Sequence, residues 1–372
     1  MTGGTEIRDA TATELADWDA VTVDAPGGHV YQSRAWAEHR RASGWQPRFL
    51  VGRDGSRTLA LVRPWALVPG GSAYVPRGPV AQGADDLAQG QRLIAVAESL
   101  AADGVDVVAA DPEVPAADRS FRTTIEAGGF HPIEEIQPSR HRISLPLGPG
   151  ADEEGVFDTI SKSTRQRIRG AEKAGVVVVR HDLRVHAGGA GDGFVAPVEP
   201  ADGAFDRFYD LLLETGERKQ FSFGPRAGFV RWWRAAHDAG HLVYLEARAD
   251  SVSGDRLAGL ILYRHGGRLS TVHSGDHAES RTTHPGALHL LRWRAIELAI
   301  REQSSEMDLG GVDVPGARGE PSEGDPLYGL YQHKASFGGQ WLELTGAHER
   351  VFDARGYRAG RAVGRVARLL RR

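Results

Sequence analysis

The chain has 372 residues, with 45 Lys+Arg against 49 Asp+Glu, a formal net charge of −4, 15 His, 2 Met and no Cys. The missing cysteine excludes a disulfide scaffold, a thiolate nucleophile, a thioester intermediate, Cys-ligated zinc and iron–sulfur clusters. Near-neutral charge argues against a surface that tracks nucleic acid along its whole extent, so basic patches have to be sought locally.

With 41% hydrophobic and 25% charged residues the composition is that of an ordinary globular protein. Its length passes the ~250–300 residues at which single cores stop growing, so two cores are expected. Met1 to Ala20 is polar and acidic, without the basic and apolar regions of a signal peptide, and no stretch approaches 18 consecutive apolar residues. The expected location is the cytoplasm.

In chain order, Gln32–Arg41 reads as a helix, and Arg48–Val51 and Leu59–Arg63 as strands about an Asp54-Gly55 turn. Val68–Gly83 holds too much Pro and Gly for regular structure and reads as an ordered loop. Gly90–Asp103 is a helix with Leu93, Ile94, Ala97 and Leu100 on one face, and Val105–Ala110 a buried strand. A linker signal at Pro146–Gly150 separates domain 1 (1–147) from domain 2 (148–344). Asp152–Ala174 reads as one helix ending at Gly175, Val176–Val179 as a strand, and Gly188–Pro200 as a surface loop.

Helices follow at Phe205–Thr215 and Arg226–Ala239, then an antiparallel meander at Leu242–Ala247, Leu257–Tyr263 and Leu269–Val272. Pro285 sits at the first turn of a long apolar helix, Gly286–Arg301. Trp232, Trp233 and Trp293 read as core. The expected fold class is α+β, with mixed, mainly antiparallel sheets flanked by helices.

His273 and His277 stand at i,i+4 with His284 and His289 nearby, but no H-E-x-x-H occurs and the first pair falls in a Gly-Asp loop, so no metal site is expected. Nucleophile elbow, dinucleotide fingerprint, Walker sequence and kinase signature are all missing. No cofactor is expected.

What remains is a set of compact signatures: Tyr74–Pro79, Phe130–Pro138, Arg165–Val176, Thr215–Phe221, Met307–Gly311, and Gly329–Gly339 after an insert at Gly316–Asp325. Together, and in this order from about Gly28 to Arg350, they resemble the FemABX family of aminoacyl-tRNA-dependent peptidyltransferases. The resemblance implies two GNAT-like domains, with a C-terminal segment, 345–372, returning to complete the first. It also implies transfer of an amino acid from aminoacyl-tRNA to an amine of a UDP- or lipid-linked muropeptide. It carries a diphosphate-contacting role to Arg218 and a place in the reaction centre to Lys334, with Glu217, Phe221, Tyr331 and Phe337 among the substrate-binding residues. His333 departs from the family's usual Phe, which bears on the shape of the acceptor pocket.

The residue types suit that chemistry. An amine attacking an activated ester needs no ATP, metal or covalent enzyme intermediate, only alignment, proton removal and oxyanion stabilisation. Lys334 fits the stabiliser, Arg218 a diphosphate clamp, and Asp308, His333 and Glu217 are candidate bases. The plainer alternatives are a surface charge for Arg218, a solvated strand-end lysine for Lys334 and a turn cap for Asp308. Arg281–His284 opens the long helix where acyl-CoA transferases of the GNAT class hold pyrophosphate, but the glycine pattern is missing and helix capping by Thr283 is the simpler reading.

Two segments are basic. Ser161–Arg184 has seven Lys or Arg, including Arg165, Arg167, Arg169 and Lys173, against two acids; Asp353–Arg372 has seven arginines, including Arg361, Arg365 and Arg368, against one. The first is a tRNA contact or a solvated helix face. The second is an amphipathic helix that packs on domain 1, contacts tRNA, or lies on an anionic membrane. Transfer to a small amine-bearing metabolite, acyl-CoA N-acyl transfer, and a non-enzymatic RNA- or membrane-binding scaffold are the competing functions.

Overall fold

Alternation along Leu242–Arg248 and Arg256–His265 sends Val243, Leu245, Ala247, Leu260 and Leu262 into one core, while Tyr244, Ile261 and Tyr263 point the other way and are equally buried. A sheet buried on both faces needs helices on both. The computed structural model describes residues 7–83, 85–137, 140–184, 193–198, 200–219, 222–312, 319–325 and 327–369.

The chain forms two units, 1–141 with 342–372, and 142–341. The first contains β1 (Ile7–Asp9), α1 (Ala12–Ala16), α2 (Arg34–Arg41), β2 (Gln46–Gly52), β3 (Arg57–Pro64), β4 (Gly71–Val75), α3 (Asp86–Ala102), β5 (Val107–Ala110), α4 (Arg119–Ala127) and β6 (His131–Pro132). The second runs β7 (His141–Pro146), α5 (Glu153–Thr159), α6 (Lys162–Lys173), β8 (Val177–His181), α7 (Ala201–Lys219), α8 (Arg226–Asp238), β9 (Leu242–Arg248), β10 (Arg256–His265), β11 (Arg268–Asp276), α9 (Ser280–Thr283), α10 (Ala287–Arg301), β12 (Glu306–Asp308), α11 (Tyr328–Ala335) and β13 (Gln340–Glu343). The chain then returns to the first unit with β14 (His348–Val351) and α12 (Ala354–Leu369).

The sheet orders are β1-β2-β3-β4-β5-β14-β6 and β13-β7-β12-β11-β10-β9-β8. Parallel pairing joins β4 to β5 and β11 to β12, the two places where a long helix, α3 or α10, carries the chain across. In the second unit α6 and α10 build the core with one sheet face; Phe205 and Phe208 of α7 and Trp233 of α8 pack around Tyr244 on the other. This is the expected α+β architecture.

Several local expectations are corrected. Val68–Gly83 contains a strand, β4, whose Tyr74 pairs with Leu61 and, in parallel, Ala109. Its Pro and Gly residues flank the strand instead of filling it. Tyr74 Oη donates to both oxygens of Asp111 (2.9 Å each), and Arg77 N–H to Asp111 Oδ1 (2.7 Å), which ties the Tyr74–Pro79 motif down while burial pushes the Asp111 carboxyl up to about 6.

Asp152–Ala174 is two helices, because Ile160 is extended and buried and Ser161 starts a new helix by accepting from Thr164 N–H. The unit boundary falls before β7, since that strand pairs with β12 through Leu145 and Met307. Within Gly188–Pro200, residues 188–192 and 199 lie outside the described part; of the rest, Phe194 is buried and Val195 bridges Val179.

Thr283 does not cap the long helix. It ends α9, donating to the Glu279 carbonyl, and the residue before α10 is Gly286 at φ 103°. A Cβ on Gly286 would lie 2.3 Å from the Arg167 carbonyl oxygen, so glycine is required both by the left-handed backbone and by the approach of α6. We expect Gly286→Ala to cost at least about 2 kcal/mol in urea unfolding followed by tryptophan fluorescence; an unchanged midpoint would show that α10 can start without this close approach.

Candidate active site

Parallel pairing between β11 and β12 runs from Arg268↔Glu306 to Ser270↔Asp308 and stops. Beyond it β11 continues to Asp276 on β10 alone, whereas Leu309 and Gly310 stay with the other neighbour, exchanging backbone bonds with Ile143. A wedge opens between Thr271–Asp276 and Leu309–Val312. At its mouth β11 carries a bulge: Thr271 lies opposite Leu262 and His273 opposite Ile261, leaving Val272 without a partner. Thr271 and Ser274 consequently share the face of Leu262 and Leu260, toward α10, while His273 turns to Phe229 and Trp233 of α8.

Lys334 stands at the apex. It is buried on α11, not a solvated strand-end lysine, and its Nζ donates to the Gly311 carbonyl at 2.6 Å. Gly310, at φ 78°, has no room for a side chain: a Cβ would come within 2.8 Å of the Thr271 carbonyl and 3.1 Å of Lys334 Nζ. Asp308 is buried and accepts from Gly310 N–H through Oδ1 (2.7 Å), the geometry of a turn cap that holds this glycine against the lysine. The Thr271 hydroxyl is buried in the wedge without a hydrogen-bond partner.

His333, the preceding residue on α11, accepts from Arg292 Nε through Nε2 at 3.0 Å. That bond assigns its proton to Nδ1 and occupies the lone pair a base would use. Burial, then Arg292 and His289, push its pKa down to about 2. Phe337 is fully buried beneath, its ring 5.5 Å from His333 and 6.1 Å from His289. Tyr331 is half-buried, edge-on to Trp341 at 6.1 Å.

Arg218 lies near the end of α7, at the other end of the open strand. Its Nη2 donates to Asp276 Oδ1 at 2.6 Å, and Arg281 grips the same carboxylate at 2.7 and 2.9 Å. Asp276 lies five positions beyond Thr271, so Arg218 and the lysine apex are on the order of 15 Å apart along the strand. Glu217 is exposed beside Arg218, and Phe221 lies outside the described residues. Glu214 holds His277 Nδ1 at 2.6 Å. Among the described residues no group of three or more His, Asp or Glu is placed to hold a metal ion.

On α6, Arg165 is bound to Asp158 at 2.9 Å, while Arg167, Arg169 and Lys173 are exposed. Arg361 lies on α12 in the first unit, against Tyr357 (2.9 Å to its Oη); Arg365 and Arg368 belong to the same helix, and their side chains are outside the described part. No described helix is long and apolar enough to cross a membrane. The sequence reading missed Thr271, Ser274 and Arg292, although an arginine within Leu290-Leu291-Arg292-Trp293 was open to view as a charge in an apolar stripe.

The acetyltransferase (GNAT) domain model matches residues 161–321. Among solved structures, that of FemX superposes with a TM-score of 0.76 at 18% identity, over 95% of this chain and 99% of that one. A conserved protein of unknown function from Bacteroides thetaiotaomicron VPI-5482 gives 0.51 at 14% identity, over 93% and 98%. These fix the fold as two GNAT-like units. The lipid II:glycine glycyltransferase of Staphylococcus aureus (strain USA300) is 23% identical over 90% of this chain and 91% of its own. In sequence and in fold the chain is thus similar to FemABX proteins. The wedge falls inside the segment matched by the acetyltransferase model, and Lys334 just beyond it.

Two imidazoles beside α11 make the unit acid-sensitive. Burial lowers His289 to about 4 and His333 to about 2, from an ordinary value near 6.5. The unfolded chain therefore takes up protons first, so their contribution is complete above pH ~6.5 and is lost as pH falls toward the native values. We expect the stability gap between wild type and His289→Gln, read from urea midpoints, to narrow from pH 7 to pH 5; a constant gap would place His289 in solvent.

Proposed function

We propose that the protein transfers an amino acid from aminoacyl-tRNA to an amine of a UDP- or lipid-linked muropeptide. The observation that carries this reading is the strand wedge with the Lys334 ammonium at its apex, in a chain whose curated relative is a lipid II:glycine glycyltransferase. The acceptor's neutral amine attacks the ester carbonyl, a tetrahedral oxyanion forms, and the ester C–O bond breaks as the amine's proton passes to the departing oxygen, releasing the tRNA with its free hydroxyl. Lys334 shifts from the Gly311 carbonyl toward that oxyanion. Preorganised positive charge in a desolvated site is the most effective aid the reaction can receive.

Asp308 fixes Gly310 so that the lysine has one resting place. Arg218 and Arg281, sharing Asp276, seat the acceptor's diphosphate at the far end of β11. The exposed Arg167, Arg169 and Lys173 of α6 contact tRNA phosphates, and α12 with Arg361 meets tRNA or the anionic inner face of the membrane, where a lipid-linked acceptor is presented. A second reading, transfer to a small amine-bearing metabolite, is favoured by the His333–Arg292 pair, which makes polar a wall where the family usually carries Phe.

Incubation with charged tRNA and either UDP-MurNAc-pentapeptide or lipid II should add the mass of one amino acid to the acceptor; no gain with both acceptors would end the muropeptide reading. Lys334→Ala should lower kcat by about 10²-fold or more with the fold retained. Arg218→Ala should chiefly raise the acceptor KM, and an unaltered KM would return Arg218 to a purely structural ion pair. Replacing Arg167 and Arg169 by Glu should weaken tRNA binding and flatten its salt dependence, by roughly 0.7–0.9 in the logarithmic slope for each phosphate no longer neutralised.

A further inference from the structure

Arg292 lies in the buried stripe of α10, between Leu291 and Trp293, with 1% of its surface exposed. Its Nε donates to His333 and its Nη2 makes a long contact with the Ser274 hydroxyl (3.4 Å), while Nη1 is buried with no partner. The side chains that act electrostatically on His333 and His289 include Arg292, Arg167 and Lys334, all cationic, and burial keeps the two imidazoles neutral. Two other buried arginines of the unit come with acids: Arg248 with Glu246 at 2.9 Å, and Arg264 with Asp182 at 2.7 Å and Glu302 at 2.6 Å. No described carboxylate pairs with Arg292.

An uncompensated guanidinium in a protein interior costs several kcal/mol, and a leucine would fill this stripe without that cost. Burial draws its pKa down only to about 10, so it remains charged at neutral pH. Its free edge lies at Ser274, in the open part of β11, and His333 holds the other edge. Such a group is built to be neutralised by something that arrives.

We infer that Arg292 is the receptor for an anionic oxygen group of the substrate, a carboxylate or a phosphate, bound in the wedge beside the Ser274 hydroxyl, with His333 as the positioning residue. The group sits between the Lys334 apex and Arg218, on the α10 face of the strand. This assignment rests on the transferase reading only in placing the anion on a substrate; the binding chemistry itself does not depend on turnover.

Binding without tRNA tests it. Sodium pyrophosphate and N-acetyl-D-alanyl-D-alanine serve as the phosphate and carboxylate probes, titrated at constant ionic strength into wild type, Arg292→Met, Arg292→Gln and Arg218→Ala. One probe should bind wild type and lose roughly tenfold or more in affinity in both Arg292 variants, the worth of a charge-assisted hydrogen bond; that probe identifies the source of the anion. Arg292→Met should melt at or above the wild-type temperature, because it removes a buried unpaired charge. Failure of both probes to bind, affinity lost in Arg218→Ala but kept in the Arg292 variants, or Arg292→Met and Arg292→Gln both melting well below wild type would overturn the assignment. Probe binding that persists when the mass-gain assay fails would leave the receptor standing and remove only the transferase reading.

Discussion

Parallel pairing between β11 and β12 holds from Arg268 to Ser270 and then stops, and the chemistry of the second unit depends on that parting. Had the two strands stayed together, the space taken by Lys334 and the Gly310-Gly311 turn would be filled by a ladder of backbone bonds. Because they part, each strand keeps its other neighbour, so the sheet loses little while an interior strip of strand is left available. Backbone groups buried without partners are costly, and here the lysine ammonium takes up one of them, the Gly311 carbonyl.

Along the open strand the positive groups are treated in two ways. The charges of Arg218 and Arg281 are paired with Asp276, at a half-exposed edge where such pairs contribute little to stability. Arg292 is left with an imidazole and a distant hydroxyl in the deepest part of the unit. The energetic contrast marks the interior end as the one held under electrostatic tension. The fold supports that tension with the apolar packing of α10, whose Leu290, Leu291, Ala295 and Ile296 are all but fully buried.

Much of the fold was legible in the sequence: the β9–β11 meander, the long apolar helix and the two cores follow from periodicity, turn residues and length, and the returning C-terminal segment from the family resemblance, whereas Pro285, expected in the first turn of the long helix, lies in the turn ahead of Gly286. The misreadings share a cause. β4 was hidden by the prolines and glycines at its two ends, and the α5–α6 break by a serine and a buried isoleucine that fit a continuous helical pattern equally well. At the candidate site, Lys334 and Arg218 were singled out through motif resemblance alone; no local pattern distinguishes a lysine that will be buried from one that will be solvated. Arg292 escaped because its neighbours advertise a core helix, and the wedge because a sequence marks where strands occur but not where two of them cease to pair.

The Val272 bulge has a consequence that concerns counting. Along a regular strand, residues three apart point to opposite faces; the unpartnered residue changes the parity, so that the Thr271 and Ser274 hydroxyls face the same helix. The polar lining of the wedge is thus encoded by the number of residues in a strand as well as by their kinds. Substituting Val272 leaves the arithmetic intact, whereas removing it restores the two-residue repeat and turns Ser274 toward the aromatic rings of α8 or Thr271 away from Lys334. Evenness and oddness, as much as charge, specify what this site presents to a substrate.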